Sequence, residues 1–128
     1  DLKMLTKKAN INVTFWDFVS QEKKFSLMAR AHAIIVPSVR EGFGLIVPEA
    51  GSVGTPAIVY NVHGLRDTVK SGINGIKVQK SADALAKGIE KLFGEKKKYE
   101  TMCLAAKRES LRYNWDSTVK TALTVLSK

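Results

Sequence analysis

The stretch "HAIIVPSVREGFGLIVPEAGSVGTPAIVYN", residues 32–61, decides the fold. It opens on a continuous apolar run, residues 32–38, ended by proline. A run without polar alternation is the pattern of a strand buried on both faces, as in a parallel sheet. A second such run follows at residues 55–61, "TPAIVYN". Between them lie a short turn, "VREGFG", and a helix expected over residues 45–52. Strand, turn, helix and parallel strand form one unit of an α/β sheet, with a right-handed crossover.

Working outward, "GIKV" (residues 75–78) reads as a short strand. "INVTFW" (residues 11–16) alternates and is β-branched, so a strand is expected there too. In "SQEKKFSLMARA", Phe25, Met28 and Ala29 recur at helical spacing, Leu27 and Ala31 widen the stripe, and Ser20 can cap the start. "SADALAKGIEKLFG" carries one apolar stripe of Ala82, Leu85, Ala86, Ile89, Leu92 and Phe93, with Ser81 as cap and Gly94 as end. Two more helices are expected over 95–112 and 116–127, with Asp116 capping the second. Strands alternating with helices imply an α/β layer fold with a mainly parallel sheet and helices on both faces.

The 128 residues suit one domain, and 45% hydrophobic residues are enough for a core. A lone cysteine, Cys103, allows neither an internal disulfide nor a cysteine metal site, which fits a reducing compartment. It reads as a small buried hydrophobe on a helix. No apolar run approaches the ~18 residues of a membrane span. The opening "DLKMLTKKAN" lacks a signal-peptide pattern and resembles the middle of a helix, so a natural or engineered fragment is expected.

The formal charge is +9. Residues 1–40 carry seven basic and three acidic groups, 81–128 carry ten and six, and 41–80 only four and three. Such an excess raises affinity for phosphates, nucleic acid or anionic lipid without choosing among them. "EKKKYE" (residues 95–100) reads as a solvated helix face. Aromatic residues are not interleaved with the basic ones, and no helix-turn-helix, zinc or RNP pattern appears, so nucleic acid is not an expected partner. His32 and His63 lie far apart and make no metal cluster. His32 is expected to pack or cap at its strand start, and His63 to serve a turn.

Open α/β sheets bind ligands at the carboxyl ends of their strands, and residues 36–38 are such an end. Gly42 and Gly44 let the chain turn sharply and bring its amides close to a ligand. The unpaired amides and dipole of the following helix favour an anion, phosphate above all. Phe43 is expected to be a packing wedge. Glu41 would stand at the helix entrance and Glu49 about one turn inside. A carboxylate accepts two hydroxyl protons at once, which suits the vicinal hydroxyls of a sugar. Two such carboxylates around a phosphate-binding turn describe a nucleotide-sugar site. The spacing alone proves nothing, because a glutamate early in a helix is an ordinary stabilising choice. Pro48 is expected to kink or shorten the helix.

Residues 37–78, "PSVREGFGLIVPEAGSVGTPAIVYNVHGLRDTVKSGINGIKV", resemble the C-terminal donor-binding domain of retaining GT-B glycosyltransferases, the group 1 (family 4-like) enzymes. The resemblance rests on a glutamate, seven residues and a second glutamate in their context: Pro37, Ser38, Glu41, Gly42, Phe43, Gly44, Leu45, Glu49, Ala50, Gly54, Pro56, Gly64, Asn74 and Gly75. It extends upstream to residue 12 and downstream to "NWD".

The resemblance implies a Rossmann-like, three-layer domain, part of a GT-B C-terminal domain, spanning residues 1–128. It implies transfer of a sugar from a nucleotide-diphosphate sugar to a sugar or lipid-linked acceptor, without cofactor or metal. Glu41 would contact the transferred sugar near its reacting carbon. The amides of Gly42, Phe43 and Gly44 would hold sugar hydroxyls, and that of Leu45 would approach the diphosphate. Glu49 would bind the ribose, and residues 15–18 would lie by the base. The acceptor site would belong to an N-terminal domain, so the fragment alone is expected to be inactive. A cytoplasmic enzyme, peripheral to an anionic membrane face, is implied.

The sequence departs from the family pattern at Asp17 and at His63, where glycine is common. No arginine–lysine pattern for clamping the diphosphate is present. Two other readings compete: a basic module for an anionic membrane or nucleic acid, and a phosphorylase or epimerase on the same fold. A phosphorylase would need a pyridoxal-binding lysine context, which is absent.

Overall fold

In the computed structural model, which describes residues 1–127, the apolar runs around residues 34 and 57 lie side by side as parallel strands. The elements are α1 (Leu2–Lys8), α2 (Gln21–Arg30), β1 (Ile34–Val36), α3 (Ile46–Ser52), β2 (Ala57–Tyr60), α4 (Leu65–Thr68), β3 (Gly75–Val78), α5 (Ala82–Phe93), α6 (Lys96–Ser110) and α7 (Trp115–Leu126). The three strands run parallel in the order β1-β2-β3. Ile34 pairs with Ala57, and Ala57 with Gly75.

Successive side chains of a strand point to opposite faces. On one face Ala57 and Val59 pack with Val36, Val47, Leu65 and Val69, which brings in α3 and α4. On the other, Ile58 packs with Ile76, Leu92 and Met102 from β3, α5 and α6. Helices thus cover both faces of β2, whose residues 57–59 are buried. The expected α/β, three-layer arrangement with a parallel sheet is what the chain adopts.

Local polar contacts hold these layers in register. Ser20 Oγ accepts from Lys23 N (3.2 Å) and Ser81 Oγ from Ala84 N (3.1 Å), so both serine caps stand where the sequence puts them. The Thr55 hydroxyl donates to the Met28 carbonyl (2.7 Å), tying the end of α2 to the start of β2. Buried Asn74 accepts from Lys70 N (2.7 Å) and donates to the Thr68 carbonyl (2.9 Å), which shapes the turn into β3. Lys70 and Arg112 both donate to Glu109, at 2.6 and 3.0 Å, and hold its carboxyl below the usual range. His32 is exposed, with its ring edge-on to Phe93, and its backbone carbonyl accepts from the Tyr99 hydroxyl (2.8 Å) just before β1. Burial, then the neighbouring Cys103 thiol, push the Tyr99 phenol up to about 12.

Several expectations need correction. Residues 11–16 are not a strand: among the described residues the sheet has three strands, and this segment pairs with none of them. Its alternating pattern is real, but a strand exists only where a neighbour completes its backbone hydrogen bonds. Asp116 does not cap α7; Asn114 does, with Oδ1 accepting from Ser117 N at 2.8 Å. Gly94 does end α5, as expected, but in right-handed geometry (φ −64°), so the chain passes almost directly into α6. Cys103 is half-buried rather than buried. Helix α7 buries none of its residues, and Trp115 is 83% exposed. Among the described residues no helix is long and apolar enough to cross a membrane.

Candidate functional site

After β1 the chain leaves the sheet at its carboxyl edge and makes an irregular turn before α3. Two glycines interlock there. Gly44 has φ +71°, and a Cβ on it would stand 2.8 Å from Leu65 Cδ2. Gly64 has φ +83°, and its Cβ would stand 2.7 Å from the Glu41 carbonyl oxygen and 2.9 Å from that of Gly42. The turn before α4 therefore packs directly on the backbone of the turn before α3. Only glycine combines that left-handed geometry with that approach. Gly42 differs: nothing lies within 4 Å of where its Cβ would be, so packing does not require it.

Among the described residues, the backbone N–H groups of Gly42, Phe43, Gly44 and Leu45 make no hydrogen bond inside the chain. The next turn begins with Val47 N donating to the Gly44 carbonyl (3.0 Å) and Glu49 N to that of Leu45 (3.0 Å). Pro48 is buried as the third residue of α3. The amide it lacks belongs to the first turn, where helix amides have no partner, so the expected kink has no cause. The helix is nonetheless short, with seven residues.

The two carboxylates lie on either side of Leu45, which is 61% exposed. Half-buried Glu41 lines a hollow of about 440 Å³ with Val36, Ser38, Phe43, Gly44 and Leu45. It makes no ion pair among the described residues. Glu49 lines a second hollow, about 260 Å³, with Phe25, Leu45, Ser52 and Tyr113. Its Oε1 accepts from Lys24 Nζ of α2 at 2.9 Å. Phe43 is less of a wedge than expected: 47% exposed, it touches Tyr113 edge-on with ring centres 5.6 Å apart.

Of the six candidate residues, Glu41, Phe43, Gly44 and Leu45 line the hollow at the carboxyl end of β1, Glu49 lines the second hollow, which shares Leu45 with it, and Gly42 lines neither. Lys24, Phe25 and Tyr113 join them, and sequence reasoning assigned none of these to the site. No spacing rule links Lys24 to a glutamate 25 residues on; only the packing of α2 on α3 does. His63 is exposed in the turn beside Gly64. Among the described residues no three His, Cys, Asp or Glu side chains gather as a metal centre would need. A larger hollow, about 630 Å³, borders Ile76, Leu92, Tyr99 and Met102 and contains none of the six.

Chemically the surface offers a run of unpaired amides that includes those of residues 42–45, a free carboxylate and an ion-paired carboxylate. Amides of this kind bind anions and hydroxyl oxygens, and carboxylates bind hydroxyl protons.

Residues 1–109 match the family model described as glycosyl transferases group 1. An uncharacterised glycosyltransferase of Methanocaldococcus jannaschii is 33% identical over 115 residues, 88% of this chain and 30% of the relative. The sucrose-phosphate synthase from Thermosynechococcus elongatus superimposes with a TM-score of 0.87 and 27% identity, over 98% of this chain and 33% of its own. The Anabaena protein HepE, solved in complex with UDP and glucose, superimposes with a TM-score of 0.86, over 98% of this chain and 35% of its own. At 23% identity it shows likeness of fold alone. The chain spans about 30% of the length of the Methanocaldococcus relative.

Proposed function

This chain belongs to the group 1 glycosyltransferases, and from that premise we propose that it is the C-terminal, donor-binding part of a two-domain enzyme. The whole enzyme moves a sugar from a nucleotide-diphosphate sugar to an acceptor with retention of anomeric configuration. Supporting the two-part reading, the chain spans 30% of the Methanocaldococcus relative.

The observation that carries the proposal is the run of unpaired amides from Gly42 to Leu45 between Glu41 and Glu49. Unpaired N–H groups on a partly buried turn are costly unless water or a ligand satisfies them. In the proposed complex Glu41 faces the hydroxyls and reacting carbon of the transferred sugar. The amides of Gly42, Phe43 and Gly44 hold sugar hydroxyls, that of Leu45 approaches the diphosphate, and Glu49 accepts from the ribose hydroxyls. Catalysis rests on orientation and on stabilising charge that develops as the diphosphate leaves. No cofactor, metal or nucleic acid enters the proposal.

The acceptor, a sugar or a lipid-linked sugar, binds the other domain, and this chain alone is inactive. The enzyme works in the cytoplasm. Its charge of +9, with the lysines at 96–98 exposed on α6, supports contact with an anionic membrane face. Sedimentation with phosphatidylserine vesicles should show binding at low salt that falls steeply as salt rises. No binding at low salt removes the membrane from the proposal.

The donor site is tested by titrating UDP, GDP and ADP against the chain while following amide NMR shifts. The expected result is a shift cluster over residues 41–50 with one base preferred. Glu49→Gln should weaken that ligand by about 1–3 kcal/mol, the worth of a charge-assisted hydrogen bond. Shifts centred elsewhere, or an unchanged Kd in the variant, would overturn the site.

A further inference from the structure

We propose that Lys24 is a positioning residue for nucleotide recognition: by holding Glu49 through one carboxylate oxygen, it fixes the other for the ribose. The proposal rests on the donor-site reading above and extends it to a residue on a different helix. Lys24 lies on α2 and Glu49 on α3, and Nζ stands 2.9 Å from Oε1. The two side chains are 27% and 32% exposed, so the pair is more shielded than an ordinary surface ion pair. The Lys24 ammonium also stands 5.2 Å from the centre of the Phe25 ring, a cation–π contact that restrains it further. Among the described residues Glu41, the other carboxylate of the site, has no such partner.

Three physical consequences follow. A glutamate side chain on a helix surface has several rotamers, and freezing them opposes ligand binding. Lys24 removes that freedom before the ligand arrives. An ammonium bonded to Oε1 leaves Oε2 to accept from a hydroxyl, which sets the direction of recognition. Finally, a bare carboxylate repels a diphosphate nearby, since like charges repel and do so more strongly away from bulk water. Pairing with Lys24 cancels that repulsion, so one site can read a hydroxyl with an anion and tolerate a polyanion beside it.

The test compares UDP, GDP and ADP with their 2′-deoxy forms by calorimetry on the full-length protein, in wild type, Lys24→Met, Lys24→Arg, Glu49→Gln and the Lys24→Met/Glu49→Gln pair. Methionine keeps the length and apolar stem of lysine and removes its charge. Wild type should prefer the ribo form of its best nucleotide by about tenfold. Lys24→Met should cut that preference to about twofold, Lys24→Arg should largely restore it, and the double variant should be no worse than Glu49→Gln. That non-additivity marks Lys24 as acting through Glu49 rather than through general stability. If Glu49→Gln removes the preference and Lys24→Met leaves it at tenfold, the role of Lys24 is overturned and the donor-site reading survives. A wild-type protein that shows no preference overturns the ribose reading and this proposal with it.

Discussion

Glu41→Gln in the full-length protein is expected to lower turnover by about 10²–10³-fold while nucleoside diphosphate affinity stays within about twofold. The substitution preserves shape and removes charge. Glu41 stands half-buried in its hollow, with no cation of the chain beside it among the described residues. An unneutralised carboxylate there is suited to the positive character that builds at a sugar's reacting carbon as the leaving group departs, and a glutamine is not. On the donor-site reading, Glu41 meets the transferred sugar and not the nucleotide. Initial rates and calorimetry on the same preparation separate the two effects. Unchanged turnover, or an equal loss in nucleotide affinity, would remove Glu41 from the reacting end.

Gly64→Ala is the second change with a large expected effect. The residue has φ +83°, and the added Cβ would meet the Glu41 and Gly42 carbonyl oxygens at 2.7 and 2.9 Å. Left-handed strain and overpacking together should cost about 2–4 kcal/mol of stability. Denaturant unfolding should show it as a lower midpoint at unchanged slope. Because the clash falls on the site backbone, nucleotide affinity should fall in the protein that remains folded. Gly42→Ala is the internal control: its Cβ would meet nothing within 4 Å, so stability should change by less than about 1 kcal/mol. Equal stability of the two variants would show that the turns are not interlocked as described.

What the sequence by itself determined is the set of elements whose signals are local. The strands at Ile34–Val36 and Ala57–Tyr60 were legible as unbroken apolar runs, though only the second is buried on both faces; the first is an edge strand that leaves Ile35 46% exposed, a correction to the expectation of burial on both faces. Ser20 and Ser81 were legible as caps because a cap bonds an amide three residues on. The position of the turn with Glu41 at the sheet's carboxyl edge was legible because the turn follows an apolar strand and precedes a helix. Tertiary structure decided the rest. Residues 11–16 alternate like a strand yet are none, since pairing belongs to two segments and not to one. Asp116 was the expected cap of α7, and the backbone path made Asn114 the cap instead. The interlock of Gly44 and Gly64, and the grip of Lys24 on Glu49, join residues 20 to 25 positions apart. Such contacts arise only when separate elements settle on a common core, and no periodicity within either element encodes them.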